Sequence, residues 1–300
     1  MVLSENWTLF SPRELRALVG AARQAESEGI DGVMLSEHLV LGRSADANGR
    51  PRNPRDYAAP GNQDPATPWP DSIVLLSAIA AATERLRLIA AAIIAPLRHP
   101  VLLAHQLAAL DLLCEGRLVV QPTVSWHREE YAALDVPFGE RGQRLDEHLA
   151  AWRELWARTP ASFSGRHYHF EDVYLEPKPL LPEGPRLWFG GSALGPWVVR
   201  RLVDYGSGFH PFGQPSADEL ERLDEALRTA GREPREIELV GGIRGELGGA
   251  GVADLEEAAA AIPEQLAAGY TTICFKPSQF IDDPAQLGGL CRRLVALAGG

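Results

Sequence analysis

The sequence predicts an α/β fold, a single (β/α)8 TIM-like barrel over residues 1–300, and three observations lead there. Short apolar runs rich in β-branched residues alternate with longer stretches of helical period, the pattern of parallel βα units. Eight such runs follow one another along the chain. A chain of 300 residues that is 45% hydrophobic and 23% charged can bury one large core, and barrels of this length fold as one domain.

Taken in order, Val2-Leu3 makes a poor first strand, and residues 12–28 carry the first helical period. Residues 31–36 (DGVMLS) read as the second strand. Residues 42–70, rich in Gly, Pro, Asn and Asp, predict a long loop after it, with a disordered linker as the alternative. Residues 86–95 (LRLIAAAIIA) are nearly all apolar, as a strand covered on both faces should be. Residues 117–120 form the fourth strand. Leu145, Leu149, Trp152 and Trp156 then recur on one face of a helix. The alternating run HYHFEDVYLEPKPLLP within residues 159–185 predicts a small hairpin-like insertion after the fourth helix. Strands at 186–189, 208–211, 237–243 and 271–276, with a helix at 196–204, complete the count of eight. Long loops at the C-terminal ends of barrel strands usually select the substrate, a role that falls here to residues 42–70 and 163–179.

The net charge of −11 argues against a nucleic acid or an anionic membrane surface as partner. Cys114, Cys274 and Cys291 are odd in number and far apart, so neither a disulfide framework nor a zinc knuckle is expected, and a reducing cytoplasm fits. No apolar run reaches membrane-spanning length without a charge or proline. The N-terminus carries Glu5 and Trp7 instead of a basic, then apolar, leader. A soluble cytoplasmic protein is expected.

Three segments can carry chemistry at the rim. Glu37-His38 follows a strand, so both side chains emerge at the functional end of a barrel. A histidine there can move protons near neutral pH, or the pair can simply cap a helix or form a local ion pair. Gly190-Gly191-Ser192 lies between a strand and a helix. Two glycines allow close approach of a ligand, and free N–H groups at a helix start attract phosphate; an ordinary βα turn is the alternative. After the fourth strand, Gln121, Thr123, Ser125 and Trp126 offer an amide, two hydroxyls and an indole that can stack on a ring system or plug the mouth. His127, Glu129 and Glu130 read as a solvated helix face, and His167-Tyr168-His169 as surface residues. The chain has no G-x-S-x-G, Walker A or H-E-x-x-H motif. Gly248-Gly249-Ala250-Gly251 lacks the spacing of a dinucleotide turn, and no metal site is expected.

Residues 29–38 (GIDGVMLSEH), 83–118 (TERLRLIAAAIIAPLRHPVLLAHQLAALDLLCEGRL), 128–156, 163–179 and 187–193 (LWFGGSA) together resemble the luciferase-like oxidoreductases. The likeness is to the actinobacterial branch that depends on coenzyme F420, and it covers about residues 13–211. It implies a TIM-like barrel with a deazaflavin or flavin ring in its mouth, and a hydride passed between deazaflavin C5 and a small organic substrate. His38 would be the general acid/base or a ring contact, with Glu37 beside it. Ala91, Ala92, Thr123, Ser125 and Trp126 would line the cofactor, with Gly190, Gly191 and Ser192 at its phosphate. The same barrel also serves monooxygenases that use FMN as FMNH2 with oxygen, and an inactive homologue is the third reading. A homodimer through the helices after the second and third strands is implied.

The chain departs from the family pattern after the fourth strand. Relatives carry G-V-G-x-G-W there, whereas Gln121, Thr123 and Ser125 replace the glycines here. Ile89-Ala90 stands where relatives have Gly-Thr, and Gly206-Ser207-Gly208-Phe209 where they have G-D-G-W. Gly42, and roughly Trp126, occupy the places of the Trp and catalytic Glu of the sugar-phosphate dehydrogenases, so that chemistry is not expected.

Overall fold

The computed structural model of the protein describes residues 1–4 and 7–299; Glu5 lies outside them. Seven parallel strands form one curled sheet in the order β1 (Gly32–Leu35), β2 (Arg87–Ile94), β3 (Leu118–Thr123), β6 (Arg186–Gly191), β7 (Gly208–Pro211), β8 (Glu238–Gly242) and β9 (Thr272–Cys274). Each coincides with a run singled out in the sequence. Val2 makes only an isolated parallel bridge to Met34. Short as it is, this segment bonds both sheet edges: Val2 N–H donates to Phe275 O at 2.8 Å, and Leu3 N–H to Met34 O at 2.9 Å.

Strand period sorts the inward-facing residues into layers. Val2, Met34, Ile89, Ala91, Val119, Trp188, Val240 and Cys274 form one buried apolar cluster inside the sheet's curl. Gly208 is needed there because a Cβ would fall 2.3 Å from the Trp188 ring. Toward the N-terminal ends of the strands, Arg87 forms two 2.8 Å hydrogen bonds with Glu238, which also accepts from the Thr272 hydroxyl. The Arg87 guanidinium lies 5.3 Å over Trp188. Two residues beyond the apolar layer, toward the C-terminal ends, the inward positions turn polar or small: Ser36, Gln121, Gly190, His210, Gly242 and Lys276.

The second, larger core lies outside the sheet, under the helices. They are α1 (Leu15–Ser27), α2 (Ser72–Ala80), α3 (Pro100–Leu113), α4 (Arg128–Ala133), α5 (Arg141–Ala157), α6 (Pro196–Tyr205), α7 (Ala217–Thr229), α8 (Leu255–Ala259), α9 (Ile262–Ala267) and α10 (Leu287–Ala298). The predicted stripe of α5 is buried. Its Trp152 and Trp156 donate to Pro100 O and Ala104 O, tying α5 to α3. No helix among the described residues is long and apolar enough to cross a membrane. All three cysteines are free and buried.

Residues 42–70 are not a free linker. Asn53 donates to Gly251 O, Arg55 to Ala250 O, and Lys276 to Asp56 O, so the loop is pinned to the segments after β8 and β9. The insertion is a two-stranded hairpin, β4 (Ala161–Ser164) and β5 (His169–Val173). It lies against α5, where Glu147 accepts from the N–H groups of Arg166, His167 and Tyr168. Tyr168, expected on the surface, is buried among His99, Arg144 and His148.

The Arg87–Glu238 pair gives a stability prediction. Burial pushes the Glu238 carboxyl up, but the bonds from Arg87 and Thr272 outweigh it and hold the pKa below the ordinary value. That contribution is present above the unfolded pKa and lost as pH falls through the folded one. Arg87→Ala is expected to cost about 2 kcal/mol in urea unfolding at pH 7, because it leaves a half-buried carboxylate unpaired. The deficit should shrink below about pH 4; a deficit that does not depend on pH would contradict the assignment.

Candidate active site

The C-terminal ends of β1 and β3 meet around a carboxylate absent from the sequence-based candidates. Glu130, on α4, has no solvent exposure. Its Oε1 accepts from Leu39 N–H at 2.6 Å and from Val40 N–H at 3.4 Å. Its Oε2 lies 3.3 Å from His38 Nδ1 and accepts from Ser125 Oγ at 3.2 Å. A buried carboxylate is tolerated only with such a shell of donors. The solvated helix face expected for His127, Glu129 and Glu130 is therefore corrected for two of them: His127 and Glu130 point inward, and of the three Glu129 alone is partly exposed, at the loop.

Paired with Glu130, His38 donates from Nδ1, which leaves Nε2 as the acceptor, 3.4 Å from the Gln63 amide nitrogen. Trp69 and Trp126 meet the His38 ring edge-on at 5.1 and 5.8 Å. Glu37 points elsewhere. Its carboxylate accepts from Ile94 N–H at 2.7 Å, from both Arg98 Nη atoms at 2.7 and 2.9 Å, and from Ser72 Oγ at 3.0 Å. Those four donors, contributed by β2 and α2 with the turn that follows β2, make Glu37 a clamp that ties the loop after β1 to both elements.

The Ser125 backbone has a φ of +54°, in the region that favours glycine, and it carries a side chain there. The added hydroxyl is used: besides donating to Glu130, it accepts from His127 N–H at 3.3 Å. His127 Nε2 accepts from Gly42 N–H at 2.7 Å, so the proton sits on Nδ1, which is buried and has no partner among the described residues.

Between β1 and β3, Ala91 and Ala92 stand where the β2–β3 register shifts, joined by a cis peptide bond, and half-buried Thr123 pairs with Ile94 beyond them. Gln121 points inward from β3 and accepts from His210 Nδ1 at 2.8 Å. Its amide nitrogen lies over Gly190, where a Cβ would come within 2.5 Å of it and of His210 O. Gly190 is thus small to admit Gln121, not to leave a gap for a ligand. Gly191 and exposed Ser192 continue into the turn before α6, where Leu194 N–H already donates to Glu219 Oε1 at 3.1 Å.

The sequence profile of the luciferase-like monooxygenases matches residues 1–271. The chain belongs to that family. This luciferase-like protein is 36% identical over 126 residues to the FMNH2-dependent dimethylsulfone monooxygenase of Pseudomonas putida, across 41% of this chain but only 34% of that enzyme's length. Its fold is shared by a monooxygenase from Streptomyces bottropensis, with TM-score 0.72 and 21% identity over 99% of this chain and 96% of that one. It is shared too by an F420-dependent secondary alcohol dehydrogenase in complex with an F420–acetone adduct, with TM-score 0.60 and 20% identity over 93% and 77% of the two chains.

Sequence reasoning missed Glu130, His127 and His210 in this luciferase-like site. The one available signal was His127 and Glu130 standing three apart after a strand, which puts both on the same helix face.

Burial pushes the His210 pKa down to about 4. Burial likewise lowers that of His127, and Glu130 and Glu129 offset this only in part. An unfolded histidine takes a proton below about pH 6.5, whereas His210 stays neutral in the fold down to about pH 4. Its contribution to stability is therefore expected to fall as pH drops from about 6.5 toward 4, by about 1.4 kcal/mol per pH unit. His210→Asn should flatten the urea-midpoint profile over that window; a profile parallel to wild type would contradict the buried neutral state.

Proposed function

We propose that the protein is an oxidoreductase that transfers a hydride between coenzyme F420 and a small organic substrate bound at the C-terminal end of a (β/α)8 barrel, with the segment Met1–Leu3 as its eighth strand. The observation that carries this reading is the buried His38–Glu130 pair, held at the mouth beside Trp69 and Trp126. The residues present fit an aromatic heterocycle. Ala91 and Ala92 add only methyl groups, Trp126 is half-exposed, and the Gln121 amide nitrogen has no hydrogen-bond acceptor among the described residues. Ala91, Ala92, Thr123, Ser125 and Trp126 would hold the ring, and Gly191 and Ser192 the phosphate side, Gly190 being taken up by Gln121. When bound, such a cofactor supplies the hydride.

The chain supplies orientation and a proton. Glu130 fixes His38 with Nδ1–H toward the carboxylate and Nε2 toward the mouth, and stabilises the ring when Nε2 is protonated. The buried Gln63 Oε1 has no hydrogen-bond partner among the described residues. A turn of that amide would offer Nε2–H an acceptor, so the same pocket can hold His38 in either protonation state. Glu37 positions the β1 loop against β2 through Arg98. A second reading, oxygen-dependent monooxygenation with FMNH2, is favoured by the identity to the dimethylsulfone enzyme.

We also propose a homodimer through α2 and α3, whose outer faces expose Val74, Leu102, Leu112 and Leu113, and, from the free cysteines, a cytoplasmic setting.

Titration with F420 and with FMN, each oxidised and reduced, followed by tryptophan quenching, is expected to show saturable binding of F420. Binding of FMN alone would move the reading to monooxygenation, and binding of neither would overturn it. His38→Asn should lower turnover by about 10²–10⁴-fold with cofactor affinity nearly unchanged. In sedimentation equilibrium the wild type should run as a dimer and Leu102→Glu as a monomer; a wild-type monomer would remove the dimer.

A further inference from the structure

Residues 49–60 form the tip of the long loop after β1, and the chain narrows to a neck beneath it. Asn48 N–H donates to Gly61 O at 2.7 Å, Gln63 N–H to Ala45 O at 2.8 Å, and the Asn48 side-chain amide to Pro60 O at 3.0 Å. Arg50 pairs with both Asp46 and Asp64, one on each side of this neck. Ala45, Gly61 and Gln63 are buried, so the neck belongs to the packed wall of the site, where Gln63 meets His38. Two glycines of positive φ, Gly49 at +77° and Gly61 at +79°, stand at the two ends of the tip. A Cβ on Gly49 would have nothing within 4 Å, so the backbone conformation alone calls for glycine there.

From the β1 edge of the sheet the tip crosses to the segments after β8 and β9, where polar groups hold it. Asn53 donates to Gly251 O at 2.9 Å and Arg55 to Ala250 O at 2.6 Å; Arg55 also pairs with Asp282. Asp56 pairs with Arg244, and its carbonyl accepts from Lys276 Nζ at 2.8 Å. The Tyr57 ring lies 5.8 Å from the Arg244 guanidinium and 5.3 Å from the Lys276 ammonium. Through Lys276, an inward residue of the polar layer, Asp56 and Tyr57 close on the mouth itself. Of residues 49–60 only Asn53 is buried, so no apolar side chain anchors the tip.

We propose that residues 49–60 are a hinged flap, shut over the mouth by a salt-sensitive latch, and that ligands enter when it swings on Gly49 and Gly61. Asp282 and Arg244 are each 64% exposed, so both ion pairs are of the kind that solvent and salt weaken. A segment without buried apolar side chains, held by exposed polar bonds, opens far more readily than the core unfolds. Gln63 sits at the neck and Trp69 beyond it, so both stay beside His38 while the tip moves. Opening therefore changes access without dismantling the site. The passage of a cofactor rests on the function proposed above; the hinged flap does not.

Trypsin tests the flap in the free, full-length protein, because the Arg52–Asn53 and Arg55–Asp56 bonds lie in the tip. Followed by mass spectrometry, cleavage at these two bonds should quicken about two- to fivefold in Asp282→Asn, the share of one exposed ion pair. Raising NaCl from about 0.05 to 0.5 M should quicken it similarly in wild type, with rates normalised to a synthetic peptide substrate. At the higher salt, wild type and variant should converge. Cleavage elsewhere in the chain should not change.

Cleavage at both bonds that ignores Asp282→Asn and salt would overturn the flap. So would an equal quickening at bonds throughout the chain, the mark of global unfolding. For the gate, whichever of FMN and F420 binds is followed by stopped-flow tryptophan quenching. Asp282→Asn should speed association and dissociation by the same factor and leave Kd unchanged. A changed Kd at an unchanged association rate would make the tip a plain binding wall and overturn the gate. If neither cofactor binds, the cofactor reading falls together with its gate, and cleavage alone decides the flap.

Discussion

A carboxylate sealed from water must gather donors, and the Glu130 carboxylate organises the mouth of this fold by doing so. It draws two backbone N–H groups and His38 from the loop after β1 and a hydroxyl from the loop after β3. Removing any one of these donors would weaken the solvation of a charge that has no water to fall back on. Glu37, next to His38 in sequence, applies the same constraint in the other direction, toward β2 and α2. Two buried carboxylates thus fix one short loop from both sides, and the imidazole between them inherits that rigidity. A positioned histidine at the rim of a parallel sheet follows from these two desolvated charges.

The inside of the sheet obeys a complementary rule. Its middle layer is apolar and needs nothing. Its lower layer is closed by the Arg87–Glu238 pair, whose charges satisfy each other with help from Thr272. Its upper layer is polar without being fully satisfied: Gln121 and His210 serve each other with one hydrogen bond and keep a donor and an acceptor in reserve. An unfinished polar layer at the mouth, above a finished one at the base, gives the barrel-like interior a direction and marks the end at which a ligand can be held.

The two long excursions divide differently than composition suggests. Residues 42–70 have the Gly, Pro and Asn content of a loose segment, yet Asn53, Arg55 and Asp56 bond to segments more than 180 residues further along the chain. Gln63 and Trp69 of the same loop reach His38. The hairpin at β4 and β5 spends its hydrogen bonds on α5. Of the two, the loop is the one built into the site.

By itself the sequence determined the succession of strands and helices, because period-2 and period-3.6 burial are written locally, as in residues 86–95 and in the Leu145–Trp156 stripe. It also placed His38, Ser125 and Gly190 at strand ends, where parallel topology brings them to one rim. Only the tertiary structure decided which neighbours are buried. His127 and Glu130 lie at the start of a short, polar helix whose composition reads as solvated, and they turn inward because loops from elsewhere in the chain supply their partners. Likewise Gly190 reads as an ordinary flexible turn until Gln121, 69 positions earlier, is seen to fill the space that its missing Cβ leaves. Hydrogen-bond satisfaction and steric fit between residues far apart in sequence are properties of pairs, and a single chain read in order carries only one member of each pair at a time.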